Sequence, residues 1–204
     1  MTNVYLIRHG DYMFDLENGK YCDLGLSSEG VRQTERLRDR FMRTGEIKPD
    51  VLIASTMRRA HETATILAPA LGRPIILDED VEEWRNEDGS LSPEEFTARW
   101  QRVPDPQRPF FRWVSGCENW LEFSVRAQLA FNRILQEHEG KTIVIVCHGN
   151  VIEASFVYFF GLARTPLQRA PIDAEHTSIT HWVKRANEQI WLLERYNDYH
   201  HLHS

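Results

Sequence analysis

Two histidines, each directly after a short apolar run, are the residues of this sequence best suited to chemistry. Residues 4–7 lead through Arg8 into His9, and residues 142–147 lead into His148, with a glycine after each histidine. Apolar runs of this length are typical of strands buried on both faces of a sheet. Because parallel strands bring their carboxyl ends to one edge of the sheet, both imidazoles are expected to face the same crevice.

Arginines accompany these histidines. Arg8 precedes His9, and Arg58 and Arg59 fall in the first turn of the helix predicted after the apolar run 51–54. A guanidinium group is a planar fork suited to phosphate oxygens, and a helix N-terminus favours a bound anion. A nucleophilic imidazole beside such groups indicates phosphoryl transfer through a phosphohistidine. The Arg-His-Gly triplet alone would also fit a histidine that caps a turn at a strand end.

Alternating strands and helices are predicted around these residues. Apolar runs at 51–54 and 75–77 predict two more strands, and amphipathic or apolar stretches predict helices over 29–44, 57–71, 118–138 and 151–160. This alternation is typical of βα units, so an α/β fold with a mainly parallel sheet is expected. The last runs, 179–185 and 189–195, predict an antiparallel hairpin at a sheet edge.

Two stretches depart from this alternation. Residues 11–25 are polar and turn-rich, which predicts a surface loop that could lie over the crevice. Residues 84–116 contain four prolines with aromatic residues between them, and Ser92 begins a short helix that ends near Arg102. The aromatic content argues against disorder. We therefore expect residues 1–204 to form one domain, with 84–116 as an ordered cap beside the active site.

Composition argues against several classes of protein for this chain. The chain has 204 residues, 42% hydrophobic content and a formal charge of −6, which argues against a general nucleic-acid binder. Its three cysteines suit neither a disulfide framework nor a zinc site and favour a reducing compartment. The longest apolar run, about 151–163, is shorter than the ~20 residues that a bilayer requires. A cytoplasmic protein without membrane contact is expected.

Several motifs occur in the order found in one protein superfamily. They are RHG at 8–10, STMRRAHETA at 55–64, an acidic stretch ending at Glu83, and CHG at 147–149. Together they resemble the histidine phosphatase superfamily, which contains phosphoglycerate mutases and histidine acid phosphatases. The helix motif, CHGNVI and TSITH are most similar to the branch that includes a mitochondrial protein serine/threonine phosphatase. The resemblance implies a three-layer α/β/α fold, with helices on both faces of the sheet and an antiparallel edge hairpin at the C-terminus.

The resemblance also implies roles for five residues. His9 matches the nucleophile, while Arg8, Arg59 and His148 match the groups that hold the transferring phosphoryl group. Glu83 matches the proton donor, and its neighbour Glu82 is the alternative if the register shifts by one residue. Since the arginines supply the charge that a magnesium ion would otherwise supply, neither a metal nor a cofactor is expected.

Two further positions are candidates for substrate binding. Gly149 follows the second pocket histidine, and Ser27 matches the Leu-Thr/Ser element of the superfamily. Capping of the helix over 29–44 explains Ser27 equally well. The role of His176, where the superfamily often has asparagine, is left open. So is that of the arginines in 84–116, which could read a second anionic group.

Neighbouring residues receive structural interpretations. Arg58 is predicted to form a surface salt bridge, and His61 to be a packing residue. The Cys147 thiol should point away from His148 into the protein interior, because side chains alternate along a strand. The histidines at 200, 201 and 203 are expected in a frayed, solvated tail instead of a metal site.

The predicted activity is hydrolysis of phosphomonoesters through a phosphohistidine on His9. Cofactor-dependent mutases continue the RHG motif with a Glu-Ser/Thr-x-Trp-Asn type of element, whereas this chain has DYMFD at 11–15. A phosphoglycerate-type mutase is therefore the second hypothesis, and a phosphoprotein-binding scaffold with little catalysis is the third. A phosphorylated small molecule or a phosphoprotein remains open as substrate, and the edge hairpin and the aromatic insertion are candidate interfaces for a homodimer.

Overall fold

The computed structural model describes residues 1–17, 20–162 and 172–203. Within these ranges, eight strands form a six-stranded sheet and a separate two-stranded sheet. Their bounds are β1 Thr2–Arg8, β2 Tyr12–Glu17, β3 Lys20–Leu26, β4 Val51–Ser55, β5 Ile75–Asp78, β6 Thr142–Cys147, β7 Ile179–Lys184 and β8 Leu192–Asp198. The helices are α1 Ser28–Thr44, α2 Arg58–Leu71, α3 Pro93–Arg102, α4 Trp120–Glu137 and α5 Gly149–Phe159.

The main sheet has the order β5-β4-β6-β1-β7-β8. The first four strands are parallel, and β7 and β8 are added in antiparallel orientation at one edge. Arg8 pairs with Cys147, and Ser55 pairs with Asp78, so the carboxyl ends of β1, β6, β4 and β5 meet at one edge of the sheet. The predicted α/β fold is confirmed, and so is the C-terminal hairpin, although β8 begins three residues later than expected.

Helices cover both faces of the sheet, as alternation along the central strands requires. On one face Leu6 and Ile145 pack with Phe123 of α4 and Ile152 of α5. On the other face Ile7, Val144 and Val146 pack with residues of α1 and α2, among them Leu37, Phe41, Ala64 and Leu67. Since β1 and β6 are buried on both sides, their ends are fixed from both faces, which suits residues that must hold a precise geometry.

The prediction of a surface loop over 11–25 is wrong. Residues Tyr12–Glu17 and Lys20–Leu26 pair as antiparallel strands. The polar and turn-forming residues of this stretch obscure its strand pattern, and hydrogen bonds join the ribbon to the main domain. The Leu26 amide, for example, donates to Glu62 of α2 at 2.7 Å.

The prediction of a frayed C-terminal tail is also wrong. Residues His200–Leu202 form a short 3-10 helix, and the His201 side chain is buried. His201 Nε2 lies 2.9 Å from the hydroxyl of Thr177. His200 is exposed, as expected of a tail residue. In the described ranges no group of three or more His, Cys, Asp or Glu side chains could hold a metal ion.

Residues 84–116 contain ordered structure. The Ser92 cap and α3 occur as predicted, and a 3-10 helix follows at Asp105–Phe110. Trp100 and Trp113 stack with ring centroids 4.7 Å apart, and Phe96 packs against both. This small aromatic cluster explains why a proline-rich stretch is ordered. Among the described helices, none has the length and hydropathy needed to cross a membrane.

Candidate active site

His9 lies at the end of β1 with its ring orientation fixed. It is 2% exposed, and its amide donates to the carbonyl of Cys147 at 3.0 Å. Nδ1 lies 2.7 Å from the carbonyl oxygen of Gly10, so Nδ1 carries the proton and donates it. Nε2 is left with its lone pair, and Arg59 Nε donates to it at 3.1 Å. The neutral tautomer therefore presents Nε2 as a nucleophile.

Glycine is required after this histidine because α1 passes very close. A Cβ on Gly10 would lie 2.6 Å from the carbonyl oxygen of Gly30, and a Cβ on Gly30 would overlap the carbonyl of Asp11. The Gly10 amide donates to the hydroxyl of Thr63 in α2 at 3.1 Å. The turn that carries His9 is thus held between α1 and α2.

Arg59 reaches His9 from the first turn of α2 and is nearly fully buried. Its Nη1 lies 2.9 Å from Asp23 Oδ2, and its backbone amide donates to the same oxygen at 3.2 Å. Its guanidinium carbon lies 4.5 Å from the centre of the Tyr12 ring. Asp23 and Tyr12 belong to the β2–β3 ribbon, so this ribbon orients the arginine. Sequence reasoning missed both residues.

His148 faces His9 from the end of β6. The two ring centroids are 5.0 Å apart, and His148 Nε2 lies 2.8 Å from the hydroxyl of Ser55, at the end of β4. His148 Nδ1 is buried and has no hydrogen-bond partner in the described chain. Three neighbouring parallel strands therefore contribute one side chain each to the site: His9, Ser55 and His148. From the sequence, Ser55 was only the first residue of the motif at 55–64, with no role assigned to it.

Two more buried nitrogen atoms without a partner lie around His9. Arg8 binds the carbonyl of Ala174 through Nη1, but its Nε is unpartnered. A Cβ on Gly149 would lie 3.7 Å from that Nε, so the first residue of α5 lies directly against the Arg8 guanidinium group. His176 has an unpartnered Nε2, and its ring centroid lies 5.5 Å from that of His9. Unpaired buried donors are unfavourable unless a ligand binds them, which indicates a site for an anion.

Glu83 lies beside this group of nitrogen atoms. Its Oε1 accepts from the Trp84 amide at 3.0 Å, and its Oε2 lies 3.5 Å from the amide of Asn150 in the first turn of α5. Desolvation raises the pKa of Glu83, although Arg59 and Arg8 oppose the shift. Glu82 instead binds Arg85 at 2.8 Å and the hydroxyl of Thr56. The geometry favours Glu83 over Glu82 as the carboxyl group of the site.

One arginine of α4 holds the loop that carries Glu83. Arg126 Nη1 donates to the carbonyls of Asp80 at 2.9 Å and Glu82 at 3.0 Å, and Nη2 donates to that of Glu83 at 3.0 Å. Both Nε and Nη2 also bind the Glu118 carboxylate, at 2.7 and 2.8 Å. All three carbonyls would lose this partner without the guanidinium, so Arg126 fixes the loop.

The electrostatics keep the histidines neutral. Burial lowers the pKa of His9 well below its usual value, and the charges of Arg59 and Arg8 lower it further. Burial also lowers the pKa of His148, with added contributions from His9, Arg59 and Arg8. The pKa of His176 falls to about 4, chiefly through burial and then through Arg8.

A residue with positive φ closes the site on the β7 side. Thr177 has φ +59°, and its amide lies 3.1 and 3.2 Å from the carbonyls of Arg8 and His9. Its hydroxyl contacts His201 of the C-terminal 3-10 helix. The sequence around Thr177 carries no glycine or asparagine to signal a left-handed backbone, so the prediction could not anticipate this support.

The other predicted residues have structural partners. Ser27 caps α1 by accepting from the Gly30 amide at 3.0 Å, and its hydroxyl binds Asp11; its substrate role stays a prediction. Arg58 forms the predicted surface salt bridge, with Glu62 at 2.7 Å. His61 is exposed, so the expectation of a packing residue is wrong.

Most arginines of the insertion 84–116 bind carboxylates or carbonyls of the protein itself. Arg85 binds Glu82, Arg99 binds the carbonyl of Trp113, Arg108 binds Asp105, and Arg112 binds Glu122. These partners favour a structural role for the four side chains over the reading of a second anionic group. Arg102 is exposed.

Comparisons with known proteins connect this site to a family. The chain is 22% identical to a metal-independent phosphoserine phosphatase of Arabidopsis thaliana, over 100% of this chain and 84% of the relative. It is 28% identical to a probable phosphoglycerate mutase of Enterobacter, over 99% and 95%. A mitochondrial serine/threonine-protein phosphatase of Drosophila persimilis is 29% identical over 86% of this chain and 59% of the relative, in line with the motif resemblance.

A solved structure shows the same fold. The mycobacterial glucosyl-3-phosphoglycerate phosphatase superposes with a TM-score of 0.75 at 19% identity, over 96% of this chain and 98% of that one. The sequence profile of the histidine phosphatase superfamily (branch 1) matches residues 4–199. Its span covers both histidine-ended strands, the arginine-bearing helix and the acidic loop described above. The chain therefore belongs to the histidine phosphatase superfamily.

Proposed function

We propose that this protein is a metal-independent phosphomonoesterase that forms a phosphohistidine on His9. The observation that carries the proposal is the set of three unpartnered buried nitrogen atoms around His9: Arg8 Nε, His148 Nδ1 and His176 Nε2. They belong to the chain neighbour of His9 and to two histidines whose rings lie next to its ring, which Gly10 already orients. A phosphoryl group would supply the acceptor oxygens that these nitrogen atoms lack.

The reaction takes place in two steps. In the first, His9 Nε2 attacks phosphorus, the ester P–O bond breaks, and protonated Glu83 gives its proton to the leaving alkoxide. Arg8, Arg59 and His148 stabilise the charge on the transferring oxygens. In the second, the Glu83 carboxylate takes a proton from water, the hydroxide attacks phosphorus, and the N–P bond breaks. Phosphate leaves, and both His9 and Glu83 regain their starting states.

Three features around the reacting atoms also take part in the proposed reaction. Gly149 starts α5 directly at the site, so its amide lies at a helix N-terminus that favours the phosphoryl anion. The insertion 84–116 serves as a cap in a single domain, and Ser27 touches the substrate from the start of α1. The substrate is a phosphorylated small molecule, like the phosphoserine and the glucosyl-3-phosphoglycerate for which two similar proteins are named. Three free cysteines favour a cytoplasmic setting, and the β8 edge is a candidate homodimer surface.

The test is hydrolysis of p-nitrophenyl phosphate in EDTA by wild type, His9→Ala and His61→Ala. His61 is the matched control, because it is an exposed histidine two residues from Arg59. Loss of the nucleophile should lower kcat by roughly 10³-fold or more, while His61→Ala keeps wild-type turnover. Glu83→Gln, quenched during turnover, should accumulate protein carrying one phosphoryl group on His9. Full activity in His9→Ala, or loss of activity in EDTA, would contradict the proposal.

The same assay separates the alternatives. A mutase would hydrolyse p-nitrophenyl phosphate poorly and would exchange phosphoryl groups between phosphoglycerates. A binding scaffold would retain phosphate affinity without forming a phosphoenzyme. The placement of Glu83 beside the phosphoryl-binding groups favours catalysis, because simple binding has no need of a proton donor.

A further inference from the structure

Glu153 is a buried carboxylic acid that the proposed reaction does not use. It lies in α5, whose other side chains are apolar or small apart from Asn150 and Tyr158, and it is 8% exposed. Its Oε1 is fully buried and has no hydrogen-bond partner in the described part of the chain. Desolvation raises the pKa of Glu153 to about 7, and the negative charges of Glu83 and Asp173 add to this shift. Such a group is unfavourable in the folded protein unless something binds it.

The position of Glu153 on α5 places it near the site. Glu153 comes one helical turn after Gly149, which lies against Arg8, and three residues after Asn150, which contacts Glu83. Side chains on a helix lean toward its N-terminus and cover the preceding turn. Glu153 is therefore placed in the turn of α5 next to the end that carries the active site, and its charge is coupled to those of Glu83 and Asp173.

The surroundings of Glu153 are acidic and aromatic. Asp173 has a 91% exposed side chain and lies 3.8 Å from Arg8, at the mouth of the site. The Tyr196 hydroxyl donates to the carbonyl of Asp173, and the Tyr196 ring packs edge-on against Phe156 of α5 at 5.3 Å. Burial raises the pKa of Tyr196, and Asp173 and Glu153 raise it further. Residues 149–159 contain no lysine or arginine.

We propose that Glu153 binds an ammonium group on the leaving group of the substrate, so that the preferred substrates are phosphomonoesters of amino alcohols. This inference rests on the proposed phosphatase function and names its substrate class. Glu83 marks the place of the ester oxygen, and Glu153 lies within its electrostatic reach on α5. An ammonium group two carbons beyond that oxygen would supply the partner that Glu153 lacks, and the aromatic wall of Tyr196 and Phe156 suits a cation.

A role in proton transfer is the main alternative. Glu153 could exchange a proton with Glu83 instead of binding substrate. The two roles differ in their dependence on the substrate, because a proton relay would serve every phosphomonoester equally. An ammonium site serves only those that carry the cation.

The test compares phosphoethanolamine with propyl phosphate, in which a methyl group replaces the ammonium group. Wild type should show at least roughly tenfold higher kcat/KM for phosphoethanolamine, mainly through KM, since hydrogen bonds to charged groups are the stronger ones. Glu153→Gln should reduce this ratio roughly tenfold to a hundredfold. Glu188→Gln removes the same charge from an exposed turn and should keep the ratio of wild type.

Each outcome identifies what has failed. Equal kcat/KM for both esters in wild type would overturn the ammonium site and leave the phosphatase function intact. Equal losses on both esters in Glu153→Gln would overturn it in favour of the proton relay. Wild type that hydrolyses neither these esters nor p-nitrophenyl phosphate would overturn the phosphatase function itself.

Folding of the variant can be checked independently. The pKa of Glu153 is higher in the folded chain than in the unfolded chain, so the native state loses stability as pH rises from about 4.5 toward about 7. Glu153→Gln should therefore melt at or above the wild-type temperature at pH 8. Should it fail to fold, Glu153→Asp is the second variant: it keeps the charge, withdraws it by one methylene, and should lower the same ratio.

Discussion

His9 shows how much chemistry a few contacts can specify at one residue. The Gly10 carbonyl assigns the proton to Nδ1, and Arg59 approaches Nε2 from the other side. The cations proposed to bind phosphate also keep the proposed nucleophile uncharged, because they lower the pKa of His9. Binding and nucleophilicity should thus depend on the same arginines, and we expect a substitution at Arg59 to change both.

The pH dependence of kcat/KM follows from two opposite shifts. In the proposed reaction His9 must be neutral to attack phosphorus. We therefore expect kcat/KM to rise as pH increases through the pKa of His9, which lies well below 6.5. Glu83 must be protonated in the first step of that reaction. We therefore expect kcat/KM to fall as pH increases through the pKa of Glu83, which desolvation raises above 4.5. We expect a bell-shaped profile with its optimum on the acidic side of neutrality. Glu83→Gln should lack the alkaline limb, and a profile that rises steadily to pH 9 would contradict these roles.

Residues at strand ends could be predicted from sequence, whereas their partners could not. His9, Arg8 and His148 follow from apolar runs that end in chemically useful side chains. Asp23, Tyr12 and Ser55 act only through contacts between distant elements, and their sequence surroundings carry no signal of that. Each is an ordinary residue type for a loop or a strand end.

At the level of elements, the loop between β5 and α3 has the most demanding task. It must hold Glu83 beside the amide of Asn150 at the start of α5, although it contains only one turn of 3-10 helix, Glu79–Val81. Arg126 of α4 replaces regular secondary structure here by binding the carbonyls of Asp80, Glu82 and Glu83 in the loop, and Glu118 orients Arg126.

Arg126→Lys should therefore reduce catalysis without changing substrate binding. Lysine keeps the charge but lacks the planar fork that bridges several acceptors. We expect kcat to fall about ten- to a hundredfold with little change in KM. The fall should be larger for propyl phosphate than for p-nitrophenyl phosphate, because p-nitrophenolate needs less protonation to leave.

A purely structural role of Arg126 would lower both rates equally. Arg85→Lys provides the control, because Arg85 is a more exposed arginine that binds Glu82 of the same loop. It should show a much smaller effect on the ratio of the two rates.

The alternation of elements was predictable because burial on both faces gives β1, β4 and β6 a continuous apolar sequence. Helix bounds were predicted to within about two residues, owing to caps such as Ser27 and Gly45. The β2–β3 ribbon was missed because its stability comes from contacts with α2 that no local pattern encodes. The C-terminal 3-10 helix was missed for the same reason, since His201 is ordered by Thr177.

For the molecule as a whole, an acidic protein contains a cationic pocket. The net charge is −6, yet the buried donors around His9 lack acceptors. Phosphate binding should therefore stabilise the native state: at a hundred times Kd the gain is about 2.7 kcal/mol. For a domain of this size, that corresponds to a rise in Tm of roughly 5–10 °C.

Two adjacent arginines provide a matched test by thermal unfolding. Arg59→Gln should lose most of the phosphate-induced rise in Tm, because Arg59 lies in the pocket. Arg58→Gln should keep it, because Arg58 is exposed and bound to Glu62. Equal shifts in the two variants would place the bound phosphate elsewhere on the protein.

The orientation of Cys147 has a consequence for the setting in which this protein can work. The residue is next to His148, but strand alternation places its thiol in the core on the α4–α5 side, where burial raises its pKa far above neutral pH. Peroxide and alkylating agents attack exposed thiolates, and thiolate-dependent phosphatases lose their nucleophile to them. With a ring nitrogen as the proposed nucleophile and the neighbouring sulfur shielded, dephosphorylation by this protein should continue under oxidising conditions that inactivate thiol-dependent enzymes.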